Sequence, residues 1–210
     1  MGKNGAGGRM MNKPKVSKKI GPASQKIGHA SQGLKMGRLD LKWDGMLCLF
    51  FNNPAKEFQI REISRLIKVP KTTVQRVLKQ LVSLKIILVK KKGIFPSYSA
   101  NETNFWYKFY KKQYFIEEIY ASGLIDFLED FFHPPCIFLF GSGAKGDYIK
   151  RSDIDLFLLS PEKEVDIIKY ERKLGRKINL LCKERIPDLS PELLNNILNG
   201  IKLSGYLKLN

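Results

Sequence analysis

Apolar positions along this chain follow two periods, and each period implies its own elements. Trp43 to Phe51 is strongly apolar and predicts a buried helix, ended by Asn52-Asn53-Pro54. Phe58 to Ile60 reads as a short strand. Arg61 to Ile67 sets Ile63, Leu66 and Ile67 at helical spacing, and Val69-Pro70 makes a tight connection. Lys71 to Leu84 then gathers Val74, Val77, Leu78 and Leu81 on one helix face, leaving Lys71, Thr72, Gln75, Arg76 and Lys79 on or near the other. Two strand-like runs follow, Ile86 to Lys90 and Ile94 to Tyr98, joined by Lys91-Lys92-Gly93. Asn104 to Phe132 is rich in aromatic residues at helical spacing and predicts amphipathic helices with a break at Gly123. Their rings read as packing between the two halves, with a homodimer interface as an intermediate alternative. His133-Pro134-Pro135 stops the helical stretch.

The pattern then shortens. Cys136 to Phe140 is an apolar run of strand length, and Gly141-Ser142 turn the chain. A second apolar run carries Asp153 and Asp155. A helix is expected over about Lys163 to Leu174 and a strand over Lys177 to Cys182. In that strand Ile178, Leu180 and Cys182 share one face, and Lys177, Asn179 and Leu181 share the other. Ser190-Pro191-Glu192 is a helix start signal: an N-cap hydroxyl, a proline at the first helical position and an acid at the positive end of the dipole. Leu193, Leu194, Ile197 and Leu198 form the apolar side of that helix, and Gly200 fits its stop.

Asp153 and Asp155 are two apart, so in a strand their side chains project together. Two adjacent carboxylates repel each other unless a cation lies between them. Paired oxygens suit Mg²⁺, which is commonly held by one or two carboxylates and substrate phosphates. The Gly141-Ser142 turn offers close backbone approach, N–H groups and a hydroxyl for such phosphates.

This strand–Gly-Ser–x10–Asp-x-Asp–strand arrangement, over about Pro134 to Leu181, resembles the nucleotidyltransferase superfamily of the polymerase-β type. Within it, the likeness is to the minimal nucleotidyltransferases common in archaea and bacteria, some of which act as antitoxins that adenylylate a partner toxin. The resemblance implies an α/β (α+β) nucleotidyltransferase fold with a short mixed sheet. It implies Mg²⁺ or Mn²⁺ on Asp153 and Asp155, an NTP with its triphosphate on Gly141 and Ser142, and a phosphate contact from Lys145. The family supplies a third carboxylate from the next core strand. Asn179 stands at that position here, and an amide carries no charge and takes no proton at neutral pH. Asp147 and Glu184 are the candidate substitutes. Two readings follow. One is a transferase moving a nucleoside monophosphate from NTP, ATP first, to a hydroxyl of a protein such as a toxin, a nucleic-acid end or a small molecule. The other is a regulator whose nucleotidyltransferase-like domain senses nucleotide or binds a partner.

Charge divides the chain more sharply than apolarity does. The net charge is +17, of which residues 1–40 carry +8, residues 41–100 carry +9, and residues 101–210 carry none. A localised basic excess is the electrostatic footprint of a nucleic-acid partner. Three helices followed by a basic hairpin over residues 41–100 resemble a winged helix-turn-helix domain. That resemblance implies a DNA-facing set of Lys71, Thr72, Thr73, Gln75 and Arg76, with Lys90, Lys91 and Lys92 on the wing; RNA is the alternative partner. The expected layout is a basic disordered arm over residues 1–40, the winged domain, linking helices over 101–133 and the nucleotidyltransferase domain over 134–210. The arm is equally readable as an upstream extension, with Met36 as the start. The chain contains no run of about twenty apolar residues, which a spanning helix would need. Nor is there a signal-peptide core, so the expected location is the cytoplasm, without membrane. Cys48, Cys136 and Cys182 each lie in an apolar run and read as buried thiols. His29 and His133 have no neighbours of metal-ligand spacing.

Overall fold

The computed structural model describes Met1, residues 41–91 and residues 93–207; the side chains of residues 41–44 are not described. The expected basic arm, apart from Met1, and Lys92, expected on the wing, thus lie outside the described residues. The described residues from 41 to 207 belong to one compact unit.

The unit opens with helix α1, Leu41–Asn52. Strand β1, Phe58–Gln59, runs directly into α2, Ile60–Ile67, and α3 spans Lys71–Ser83. Strands β2, Ile87–Lys90, and β3, Ser97–Ala100, complete an antiparallel sheet of order β1-β3-β2. The second hairpin strand was expected from Ile94, but it begins three residues later, at Ser97. Gly93 turns at φ +82°, and Pro96 has no N–H to give a ladder. Ile94 and Phe95 therefore stand out at the hairpin tip, 90% and 55% exposed.

Helix α4, Phe105–Ser122, starts where the Asn104 side chain accepts a hydrogen bond from the Tyr107 N–H at 3.1 Å. Gly123, at φ +81°, separates it from α5, Leu124–Phe132. Strand β4, Cys136–Phe140, leads into a short helix α6, Gly141–Lys145, and the chain turns at Gly141, φ +69°, directly into that helix. Strand β5 is Ile154–Leu159. Helix α7 spans only Ile168–Leu174, starting later than its expected Lys163, where Asp166 accepts from the Ile168 N–H at 3.0 Å. Strand β6, Ile178–Lys183, follows. Ser190 accepts from the Leu193 N–H at the start of α8, Pro191–Leu198.

One strand was not expected: β7, Ile201–Gly205, pairs antiparallel with β4. The second sheet is therefore mixed, of order β6-β5-β4-β7, with β5 and β6 parallel and joined through α7. Gly200 and Gly205 let β7 approach, because a Cβ on either would overlap a carbonyl of residue 139 or 135.

Burial on both sheet faces fixes this arrangement. One face carries Ile137, Leu139, Ile154 and Leu156 into the large core shared with α1, α4 and α5. On the other face, Phe138 and Phe157 are covered by Leu189 and Ile197. The rings of α4 bridge the two halves of the unit: Phe51 of α1 meets Tyr107 edge-on at 5.4 Å, and the Tyr107 hydroxyl donates to the Phe50 carbonyl at 3.0 Å. Cys136 and Cys182 are buried and Cys48 is half-buried; all three are free thiols. Among the described residues no helix is long and apolar enough to cross a membrane.

Candidate functional site

The site forms at the end of β4 and the start of β5 and β6. The antiparallel register sets Asp155 opposite Phe140, the residue before Gly141. The parallel register sets Asp155 opposite Asn179. Three side chains thus meet: the Asn179 amide nitrogen donates to Asp155 Oδ1 at 2.9 Å and lies 3.5 Å from Asp153 Oδ2. Both aspartates are half-buried and Asn179 is exposed.

Gly141 is required twice here. Its φ is +69°, in the left-handed region, and a Cβ on it would overlap Asp155 Oδ2. The chain turns so close to the carboxylate that no side chain fits between them. Ser142 is the second residue of α6, and its carbonyl accepts from the Gly146 and Asp147 N–H groups, both at 3.0 Å. The N–H groups of the first helical turn have no acceptors within the helix. Gly143 brings α6 against Phe115 of α4, where a Cβ would overlap the ring. Lys145 is exposed on the last turn of α6.

The candidate substitutes for the third acid point elsewhere. Asp147 is ion-paired with Lys108 at 3.4 Å. Glu184 lies past the far end of β6 from Asn179. Among the described residues no group of three or more His, Cys, Asp or Glu converges.

The loop between α6 and β5 is held by a residue that pattern reading missed. Arg176 is only 9% exposed. One guanidinium nitrogen donates to the Ile149 carbonyl at 2.6 Å and the Ser152 carbonyl at 2.9 Å; the other donates to Asn52 Oδ1 at 2.6 Å. Its plane packs on Phe115 and Tyr148 at 5.2 and 5.1 Å. The Ile149 N–H donates to Ser152 Oγ at 2.9 Å, and the Lys150 N–H to the Asn52 carbonyl at 2.9 Å. The residues that launch Asp153 are therefore fastened to the end of α1.

Beneath this loop lies Lys111, 1% exposed, with its ammonium 4.7 Å from the Tyr148 ring and 5.8 Å from Tyr107. Burial holds its pKa down to about 8, against an ordinary 10.5. A lysine depressed in the folded state binds fewer protons there than when unfolded. It therefore detracts from stability below its folded pKa, and that loss is relieved as pH rises from about 8 toward 10.5. Lys111→Met should stabilise the protein by ~1–3 kcal/mol at neutral pH. The gain should shrink as urea denaturation is repeated toward pH 10.5. A gain independent of pH would mean that packing alone, not charge burial, separates the two proteins.

The residues expected to face nucleic acid lie together on α3. Lys71, Thr72, Gln75 and Arg76 are exposed and Thr73 is half-buried, opposite the buried Val74, Val77, Leu78 and Leu81. On the hairpin, Lys91 is exposed, whereas Lys90 is ion-paired with Glu57 at 2.6 Å.

Residues 121–203 match the family model described as a nucleotidyltransferase domain. The match runs from the end of α4 into β7 and takes in the whole face built from Gly141, Asp155 and Asn179. No curated protein and no solved structure matches the chain.

Proposed function

We propose that the protein is a Mg²⁺-dependent nucleotidyltransferase, with ATP the first candidate donor, joined to a nucleic-acid-binding winged helix-turn-helix module over residues 41–100. The observation that carries this reading is the register that brings Asp153, Asp155 and Asn179 together against Gly141. This donor set suits a hard divalent cation: two carboxylates on one strand face, with an amide whose oxygen can turn toward them. Asp153 and Asp155 would hold the ion, with Asn179 in the position of a third ligand. When bound, the metal neutralises phosphate charge and polarises the phosphoryl centre.

The chain's own residues supply position. The Gly141 turn brings backbone N–H groups and the Ser142 hydroxyl to the triphosphate, and Lys145 is placed at the end of the same helix for an outer phosphate. Arg176 fixes the loop that sets Asp153. Preorganisation of this kind is where phosphoryl transfer gains most of its rate. The module assignment is supported by three helices and a hairpin in the appropriate order, and by the exposed Lys71, Thr72, Gln75 and Arg76 of α3.

The test is Asp153→Asn with Asp155→Asn. Wild-type protein should gain several degrees in Tm from Mg²⁺–ATP at saturating concentration, and the double variant should gain none. The variant without ligand should hold its stability, because like-charge repulsion is relieved. Equal Mg²⁺–ATP stabilisation in both proteins would remove the assignment.

A specific observation favours the regulator reading: the third position is an amide that already donates to both carboxylates. Under that reading the site binds nucleotide without turnover, and the winged module binds an operator. Protein that binds Mg²⁺–ATP yet labels neither itself, nucleic acid nor a candidate toxin partner would establish it.

A further inference from the structure

Beside Asp153 opens a cleft of about 590 Å³ that neither Gly141 nor Ser142 lines. Its lining includes Lys150 and Arg151 of the loop before Asp153, Asn52 and Asn53 at the end of α1, and Arg176 and Lys177 before β6. We infer that this cleft is the acceptor subsite of the transferase proposed above, and that it takes the phosphodiester backbone of a single-stranded nucleic acid whose terminal hydroxyl reaches Asp153. The inference rests on that nucleotidyl-transfer reading for its chemistry and on the cleft alone for its ligand.

Charge selects the ligand class. Four of the lining residues are cationic and Asp153 is the only acid among them. Lys150, Arg151 and Lys177 are exposed, and none is ion-paired among the described residues. Cations that outnumber carboxylates four to one in a cleft focus a positive potential on whatever enters. This placement is notable because residues 101–210 carry no net charge.

The rest of the lining argues against the other acceptors. Ile149 is the only large apolar side chain in it, whereas small-molecule sites are mostly apolar and aromatic. No aromatic ring lines it, so bases have no stacking platform, and recognition falls to phosphates. A hydroxyl of a protein side chain would leave the cations unused.

The cleft is also preformed. Arg176 and Asn52 tie both ends of the Ile149–Ser152 turn, so Lys150 and Arg151 project from fixed backbone. The position fits the reaction: Gly141 follows β4 and Lys177 precedes β6, which flank β5 on opposite edges, so Asp153 stands between the residues for donor phosphates and those of the cleft. In the step, the terminal hydroxyl oxygen bonds to the α-phosphorus. The bond from that phosphorus to the β-phosphate bridging oxygen breaks, pyrophosphate leaves with the electron pair, and the hydroxyl proton is released to solvent.

The experiment uses the full chain and a labelled oligothymidylate or oligouridylate, read by anisotropy across a salt series. Lys150→Ala with Arg151→Ala and Lys177→Ala should weaken strand binding roughly tenfold. The slope of log affinity on log salt should flatten by about 2, at ~0.7 for each phosphate that is no longer neutralised. Lys177→Glu alone should shift both in the same direction and guards against a misfolded triple variant. Mg²⁺–ATP stabilisation is measured in parallel, and α-labelled ATP reports transfer to the strand. Transfer with a raised KM for the strand in the triple variant would complete the case. An unchanged salt slope, with Mg²⁺–ATP stabilisation intact, would overturn the inference while sparing the nucleotide site. Labelling of the protein itself, with strand binding indifferent to the triple variant, would make a side-chain hydroxyl the acceptor. If wild-type protein gains nothing from Mg²⁺–ATP, the transferase reading fails and the acceptor role falls with it, whatever the strand binds.

Discussion

Arg176→Ala should cost about 3–5 kcal/mol of folding stability, the largest loss expected from any single side chain near the site. Three hydrogen bonds from a charged donor disappear together: those to Ile149, Ser152 and Asn52. Two backbone carbonyls and the Asn52 amide oxygen lose their charged donor, and the rings of Phe115 and Tyr148 lose the guanidinium plane that covers them. Arg176→Lys tests the mechanism, since an ammonium keeps the charge but cannot present two nitrogens in a fork. It should recover less than half of the loss. Asn52→Ala should show a smaller loss, because only one of the three hydrogen bonds is removed. Urea midpoints with an unchanged slope give the comparison. Because the same hydrogen bonds set the turn before Asp153, Mg²⁺–ATP stabilisation should also fall in Arg176→Ala relative to its own unliganded Tm. A loss of stability with nucleotide response intact would confine Arg176 to scaffolding and detach it from the site.

The residues that were legible in the sequence act through local backbone rules. Gly123 separates two helices because a left-handed residue ends the first, and Ser190 announces a helix because its hydroxyl caps the fourth residue of its own turn. The Asp153–Asp155 spacing is legible for the same reason: strand alternation is a local property. The opposition of Asn179 to Asp155 follows from parallel pairing of two recognisable strands. What escaped depends on distant partners. Ile201–Gly205 alternates weakly and becomes a strand because β4 offers an open edge and two glycines admit it. Ile94 and Phe95 are β-formers by composition, yet Gly93 and Pro96 deny them a ladder. Arg176 resembles any basic residue in a helix–strand connection. Its partners are carbonyls and an amide 24 to 124 residues away, an arrangement that no periodicity records. The cleft has the same origin: Asn52, Lys150 and Lys177 come from three segments brought together only by folding.

Asn179→Asp should change the protein in opposite directions without and with metal. Without metal, the substitution removes the amide that donates to Asp155 at 2.9 Å and approaches Asp153 at 3.5 Å. It puts a third negative charge in its place. At the half-exposed end of a sheet, with solvent screening, that should cost about 1–2 kcal/mol, or a few degrees of Tm. Like-charge crowding also raises the pKa of the new acid, so the loss should shrink as pH falls through the carboxylate range and the new acid takes up a proton. With Mg²⁺ and ATP the sign reverses. A third carboxylate holds the ion more strongly than an amide oxygen and does not have to turn its donor face away first. The variant should recover its lost stability, bind metal at lower concentration and transfer nucleotide at an equal or higher rate. The deciding quantity is the Mg²⁺–ATP gain in Tm for the variant minus that for wild type. A clearly positive difference places Asn179 in the metal's coordination sphere. A difference near zero, in protein whose Asp153 and Asp155 are shown to bind metal, leaves Asn179 as a hydrogen-bond donor that only orders the two carboxylates, and favours the nucleotide-sensing regulator over the transferase.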